Sequence, residues 1–373
     1  MILSRRDFTK LSAAGLAADL AAGLAPHLHA ETLADAGDRQ IGYAIIGLGR
    51  ISDHFMAGIQ GTTNSKVTAL VSGHPEKAAK YAAKYGVPQS SIYNYENMDA
   101  MRENKSVDAV YIGLPNSMHA EYTIRSAKAG KHVLCEKPMA ITVPECSAMI
   151  EACKTANVKL MIAYRCHYEP TNLRAVKLIR DGAIGKIQVI QAAFGFSSGK
   201  TEWRLTKALG GHGPMFDVGI YCLNATRYLT GEEPTDFSAV AYSDPNDPRF
   251  REVEGSVSWI SKFPSGAIAN CTTTYAAPMD GYFRVHGTDG WIEVNPAFVY
   301  DGLHLKGQSF AGGKYAAYDE PNPEKDPAHF QREADHFSDC ILHNKTPQSP
   351  GEEGLRDMTY IREIYRSAGI TMA

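Results

Sequence analysis

Three side chains have types and positions that could do chemistry: Lys137, Asp217 and Tyr221. Lys137 follows the short apolar run His132-Val133-Leu134-Cys135 and stands between Glu136 and Pro138. A lysine at the end of a buried strand can turn its N–H donors toward a ligand, and Pro138, which cannot extend a ladder, fixes where the strand stops. Glu-Lys-Pro alone is equally the composition of a solvated turn. Asp217 and Tyr221 lie downstream of Gly210-Gly211-His212-Gly213-Pro214, a glycine loop that enters a helix at Pro214, and their spacing puts them on one helix face. Gly219 between them costs that helix stability, which calls for the close approach of a ligand or a strand. The same spacing also fits a surface helix with Asp217 in its first turn and Tyr221 half buried.

A second constellation suits phosphate. Residues 41–46 read as a buried strand that runs directly into Gly47-Leu48-Gly49-Arg50-Ile51-Ser52 and a helical pattern. Strand, glycine turn and helix in that order offer a tight turn and bare backbone to a pyrophosphate at a helix N-terminus. Ser52 stands in place of a third glycine, so helix and strand are expected to sit slightly further apart. At the tip of the next strand, where an acid would bind a ribose, the chain has Ser72-Gly73-His74. The missing carboxylate favours a 2'-phosphate, hence NADP over NAD, with Arg50 and Lys77 as charge partners and Ser72 as hydroxyl donor. Glu76 runs against that reading unless it serves the dipole of the helix it begins. Leu114-Pro115-Asn116-Ser117-Met118-His119 follows the third clear strand. There Asn116 and His119 can touch the nicotinamide half of a cofactor, or Asn116 can cap the next helix.

These residues need two scaffolds. Strand patterns at 41–46, 66–71, 107–114, 132–135 and 158–163 alternate with helical patterns at 75–85, 118–129 and 144–157. That alternation implies parallel strands joined by right-handed crossovers, a doubly wound α/β sheet over 41–163. From 164 to 373 the pattern changes. Helices are expected at 169–180, 214–229, 328–343 and 354–367, and strands at 187–196, 237–242, 253–263, 267–275, 282–286 and 291–294. Strands in quick succession favour antiparallel pairing, and so an α+β domain with a large open sheet.

The 373 residues carry 38 basic and 41 acidic side chains, well mixed, which gives no stripe for nucleic acid. Seven scattered cysteines without Cys-x-x-Cys spacing read as buried thiols, and no His/Asp/Glu group has metal-ligand spacing. The start, Ser4-Arg5-Arg6-Asp7-Phe8-Thr9-Lys10 and an Ala/Leu/Gly-rich run, resembles a twin-arginine export signal over residues 1–30, followed by a polar arm at 31–40. The expected location is therefore periplasmic; the alternative is a cytoplasmic protein that keeps an amphipathic N-terminus. The run is too short and too poor in large apolar side chains for a stable membrane span.

The glycine fingerprint, Pro115-Asn116-x-x-His119, Glu136-Lys137-Pro138 and Asp217-x-Gly219-x-Tyr221 occur in an order that resembles the glucose-fructose oxidoreductase (Gfo/Idh/MocA) family. Tyr164-Arg165-Cys166-His167-Tyr168-Glu169-Pro170, Glu202-Trp203-Arg204, 242–247 and 349–354 carry the likeness through the rest of the chain. The resemblance implies a Rossmann domain followed by an open-sheet domain that often makes subunit contacts, and so a homo-oligomer, dimer or tetramer. It implies that Leu48, Ile51, Leu114, Pro115, Glu136, Arg165, Trp203 and Arg204 join the glycines at the cofactor. It places Lys137 beside substrate and nicotinamide, with Asp217 holding a sugar and Tyr221 accepting its proton. A tyrosine with an ordinary pKa of roughly 10 needs a neighbouring cation to act as a base, and Lys137 is the expected one. His212 interrupts the glycine run and is expected to line the sugar pocket. The implied activity is oxidation of an aldose at C1 to the lactone on tightly held NADP, with reduction of a second sugar, ketose or aldose, to an alditol. A dehydrogenase that releases NADP each turnover, a nicotinamide-dependent glycosidase and a non-catalytic sugar-binding protein are the alternatives.

Overall fold

The computed structural model describes residues 39–372; the expected export segment at 1–30 and the arm as far as residue 38 lie outside them. The early apolar runs form strands β1 (Ile41–Ile46), β2 (Ser65–Val71), β3 (Ile92–Tyr93), β4 (Ala109–Ile112), β5 (His132–Glu136) and β6 (Leu160–Ala163). They make one parallel sheet in the order β3-β2-β1-β4-β5-β6. Helices α1 (Arg50–Ile59), α2 (Pro75–Tyr85), α3 (His119–Lys128) and α4 (Val143–Thr155) join them. β1 and β4 are buried at every residue, which is why they read as unbroken apolar runs: helices cover both faces. Strand order reverses between β1 and β4, and ligands of such sheets bind in the crevice this leaves at the carboxyl ends.

The second half follows α5 (Pro170–Arg180) with β7 (Ile187–Gly195), a one-turn α6 (Lys207–Gly210), a π turn (Met215–Gly219) and α7 (Ile220–Thr230). Then come β8 (Asp236–Tyr242), β9 (Ser256–Lys262), β10 (Ile268–Thr274), β11 (Met279–Gly287), β12 (Gly290–Val294), β13 (His304–Ser309) and β14 (Ala316–Pro321). The sheet order is β14-β13-β12-β11-β7-β10-β9-β8, antiparallel except where β7 meets β10. One face is covered and the other open: along β9, Val257, Trp259 and Ser261 are buried while Ile260 and Lys262 are exposed. β13 and β14 were not expected. Lys306-Gly307-Gln308 and Asp319-Glu320 carry little strand propensity; β13 pairs because β12 offers a ladder, and β14 because β13 then does.

The last two helices, α8 (Ala328–Leu342) and α9 (Gly351–Ser367), come back to the first sheet. α8 lies against α1 so closely that a Cβ on Gly58 would be 2.8 Å from that of Phe330, and its Ser338 hydroxyl meets Tyr43 at 2.9 Å and Ser65 at 2.7 Å. α9 packs where a Cβ on Gly354 would be 2.8 Å from that of Met139. The layer around the parallel sheet is therefore completed by residues distant in sequence.

Candidate active site

The β1–α1 turn has the form a pyrophosphate requires. Gly47 has φ 84°, a conformation open to glycine, and a Cβ there would lie 2.7 Å from Leu114. Gly49 is different: a Cβ would meet no protein atom closer than 3.7 Å, so packing does not demand glycine and the bare backbone leaves room for a ligand. Gly49 also starts α1 without a side-chain cap, leaving first-turn N–H groups for an anion. The serine in place of a third glycine does not push helix and strand apart. Ser52 is buried and donates to the Gly47 carbonyl at 2.7 Å, and the space it fills is vacated across the gap by Gly113, where a Cβ would be 2.4 Å from its hydroxyl. Leu48 is buried beneath the turn and Ile51 packs beside it. Arg50 and Lys77 are exposed on either side, and no carboxylate stands at the β2 tip. Ser72 is less available than expected, since its hydroxyl accepts from the His74 N–H at 3.1 Å.

Along the crevice, three residues expected at the cofactor are each held by bonds within the protein. His119 is fully buried, its ring nitrogens 2.8 Å from the Pro138 carbonyl and 2.9 Å from that of Leu114, so it ties the β4 and β5 end-loops together. Burial lowers its pKa. Asn116 caps no helix; its side chain crosses to donate to the Gly210 carbonyl at 2.9 Å, fastening the glycine loop of the second half to the Leu114-Pro115 edge. Glu136 turns inward, accepting from the Tyr111 hydroxyl at 2.6 Å, and burial raises its pKa.

The three side chains first singled out do come together. Lys137 donates to the Asp217 carbonyl at 2.8 Å and to its carboxylate at 3.4 Å, and its ammonium stands 4.7 Å over the Tyr221 ring. Asp217 lies in the π turn, where the chain widens by one residue; such turns often mark functional sites. Gly219 permits it, because a Cβ there would lie 2.9 Å from Thr273 on β10: the close approach expected of a ligand or strand is that of a strand. The other carboxylate oxygen of Asp217 pairs with the Arg204 guanidinium, 2.8 Å from its Nε, and accepts from the Tyr275 hydroxyl at 2.8 Å. Burial alone would raise the carboxyl, but Lys137, Arg204 and the Tyr275 hydrogen bond hold it below the usual aspartate range. Arg204 stacks on Trp203 at 4.6 Å, so this pair reaches the substrate side through Asp217.

Lys137 is not the cation on the Tyr221 hydroxyl. Two of its three donors reach Asp217, and its ammonium meets the Tyr221 ring face. Burial pushes the Tyr221 phenol up, and the charge that pulls it back is Arg165, 5.2 Å from the ring. Arg165 is itself buried, donates to the Val299 and Phe298 carbonyls, and lies 4.4 Å over the Tyr300 ring. Tyr275 and Tyr300 are the site residues the sequence did not single out; each sits at a strand end or loop with no motif around it. His212, expected in the sugar pocket, is withdrawn from it. It is buried against Phe216 and Tyr365, with Glu254 at 4.0 Å, and burial pushes its pKa down to about 4.

A dinucleotide crevice opening onto a phenol, a carboxylate and an ammonium is the equipment of a nicotinamide-dependent oxidoreductase. Residues 41–164 match the oxidoreductase family with an NAD-binding Rossmann fold, residues 172–293 match the GFO/IDH/MocA C-terminal domain, and the chain belongs to that family. It is 31% identical over 341 residues to D-xylose 1-dehydrogenase [NADP(+)] of Haloarcula marismortui, covering 89% of this chain and 92% of that protein. Among solved structures it resembles aldose-aldose oxidoreductase from Caulobacter crescentus complexed with glycerol, with TM-score 0.84, 46% identity, and 89% and 98% of the two chains covered. A levoglucosan dehydrogenase complexed with NADH shares the fold at TM-score 0.78 and 22% identity, over 89% of this chain and 97% of that one.

Proposed function

We propose that this protein oxidises an aldose at C1 to the lactone and reduces a second sugar, ketose or aldose, to the alditol at the same site, with NADP held throughout. The observation that carries the reading is the joining of Lys137, Asp217 and Tyr221 at the mouth of the crevice. Nicotinamide, when bound, supplies the redox chemistry. Asp217, charged and fixed by Arg204 and Tyr275, accepts from a sugar hydroxyl. Lys137 donates toward the oxygen at C1 and keeps Asp217 in place. Tyr221 takes the proton of the hydroxyl that becomes the carbonyl and returns one to the second sugar, with Arg165 stabilising its ionised form. NADP over NAD is supported by the missing acid at Ser72-Gly73-His74, by Arg50 and Lys77 beside it, and by the NADP named for the xylose dehydrogenase. A retained cofactor is supported by the twin-arginine-like start, since free NADP is not expected in the periplasm. The open sheet face, with Val240 and Tyr242 exposed, supports a homo-oligomer.

Protein purified without added cofactor is to be denatured and the supernatant assayed for NADP, and native protein then given sugar pairs. About one NADP per chain, with lactone and alditol formed in equal amounts, is the expected result. Empty protein that works only while consuming added NADP would make it an ordinary dehydrogenase.

A further inference from the structure

α1 and the second half are joined by a contact that the redox chemistry does not use. His54, one turn into α1 from the phosphate cradle, stacks on Tyr300 with centroids 4.4 Å apart and planes 20° from parallel. Tyr300 belongs to the β12–β13 connection of the second half, and its ring is also covered by the Arg165 guanidinium at 4.4 Å. The same guanidinium lies 5.2 Å from the Tyr221 ring, so it joins this loop to the catalytic cluster. Both partners are tied down. His54 Nδ1 is 2.6 Å from an Asp326 carboxylate oxygen, and the Asp326 N–H donates to Asp301 at 2.6 Å. The Tyr300 loop is held by Arg165 on the Phe298 and Val299 carbonyls and by Asn172 on the Ala297 carbonyl at 3.1 Å. One tyrosine thus spans from the helix that begins at the pyrophosphate turn to the residues that meet the nicotinamide end, the two points between which half a dinucleotide must lie.

Resting on the retained-cofactor reading, we propose that the His54–Tyr300 stack, anchored by Asp326 and Arg165, is the latch that keeps the dinucleotide in the crevice between turnovers. A cofactor leaving sideways has to part α1 from the β12–β13 loop, and that motion breaks an aromatic stack and a histidine–carboxylate contact at once. His54 and Tyr300 act here as positioning residues. Their effect falls on the rate of cofactor loss.

The test compares wild type, His54→Ala, Tyr300→Ala and His54→Phe, each purified without added cofactor, checked for native melting, and assayed for bound NADP before and after long dialysis. Wild type is expected to stay loaded. His54→Ala and Tyr300→Ala are expected to lose NADP at least about tenfold faster, and the activity that His54→Ala loses on dialysis is expected to return on adding NADP. His54→Phe keeps a stacking ring without the Asp326 contact and falls between. Folded His54→Ala and Tyr300→Ala proteins that hold NADP as long as wild type would overturn the latch while leaving the retained-cofactor reading intact. Wild type that emerges empty overturns both.

Discussion

The two ends of the crevice are built on opposite plans. At the β1–α1 turn the protein offers backbone and space: Gly49 has no close neighbour, and Arg50 and Lys77 stand exposed without an ion pair among the described residues. At the Asp217 end the central charges already have partners, Asp217 in Lys137, Arg204 and Tyr275, and Arg165 in two carbonyls and two aromatic rings. The first end waits for a ligand to bring its charge. The second is organised before any ligand arrives, so the cost of ordering it is met in folding and not in the reaction. Single changes at the first should cost affinity in small steps, whereas at the second they should remove the reaction.

The largest effect is therefore expected at Tyr221 and Lys137. Tyr221→Phe leaves the ring against Phe194 and Phe298 and removes only the group that carries the proton. Lys137→Ala leaves Asp217 its other two partners, so the fold should survive. Each should lower kcat for sugar oxidation by at least about 100-fold, about 2.7 kcal/mol, while bound NADP, measured after denaturation, stays near wild type. A rate near normal in either variant would make the Asp217 end a structural cluster.

Much of this contrast was legible in the residues. The cradle is contiguous, strand then glycine turn then helix, and a contiguous motif carries its own geometry. Lys137, Asp217 and Tyr221 stood out by type and order. What lay hidden depended on how distant segments meet. His119 looked ligand-facing because its position after β4 is right, yet its direction is set by two carbonyls on separate loops. Glu136 turned inward because Tyr111, on the neighbouring strand, reaches it. The π turn arises where Thr273 crowds Gly219, and α8 rejoins the first sheet from the far end of the chain; neither leaves a trace in local periodicity.

Arg165 sharpens the contrast between the two cations at the second end. If it, and not Lys137, lowers the Tyr221 phenol against the effect of burial, Arg165→Met should push that phenol further up. The base form is then reached only at higher pH. The midpoint of the rising limb of kcat/KM against pH should move up by about one unit, and the rate at neutral pH should fall roughly tenfold. Lys137 variants should lose rate without that displacement. An unmoved limb in Arg165→Met would return the role of activating cation to Lys137.

The smallest catalytic effect is expected at His212, whose removal from the sugar pocket has a separate signature in stability. Burial holds its pKa at about 4, against 6.5 for an ordinary histidine. Between those values the unfolded chain binds a proton that the folded chain refuses, so stability declines as pH falls from about 6.5, and the loss is complete once pH has passed below about 4. His132, pushed to about 4, and His329, pushed to about 3, add losses of the same sign, and wild type shows their sum. His212→Gln cannot take up the proton and should drop one share. Denaturant unfolding at several pH values between neutral and 4.5 should give a shallower decline than in wild type, by up to about 1.4 kcal/mol per pH unit. At neutral pH its kcat/KM for sugar should stay within about threefold of wild type, because the ring is buried among Phe216, Tyr365 and Glu254. A tenfold rise in the sugar KM with an unchanged pH–stability curve would put His212 back in the pocket and extend the preorganised end of the crevice across the glycine loop.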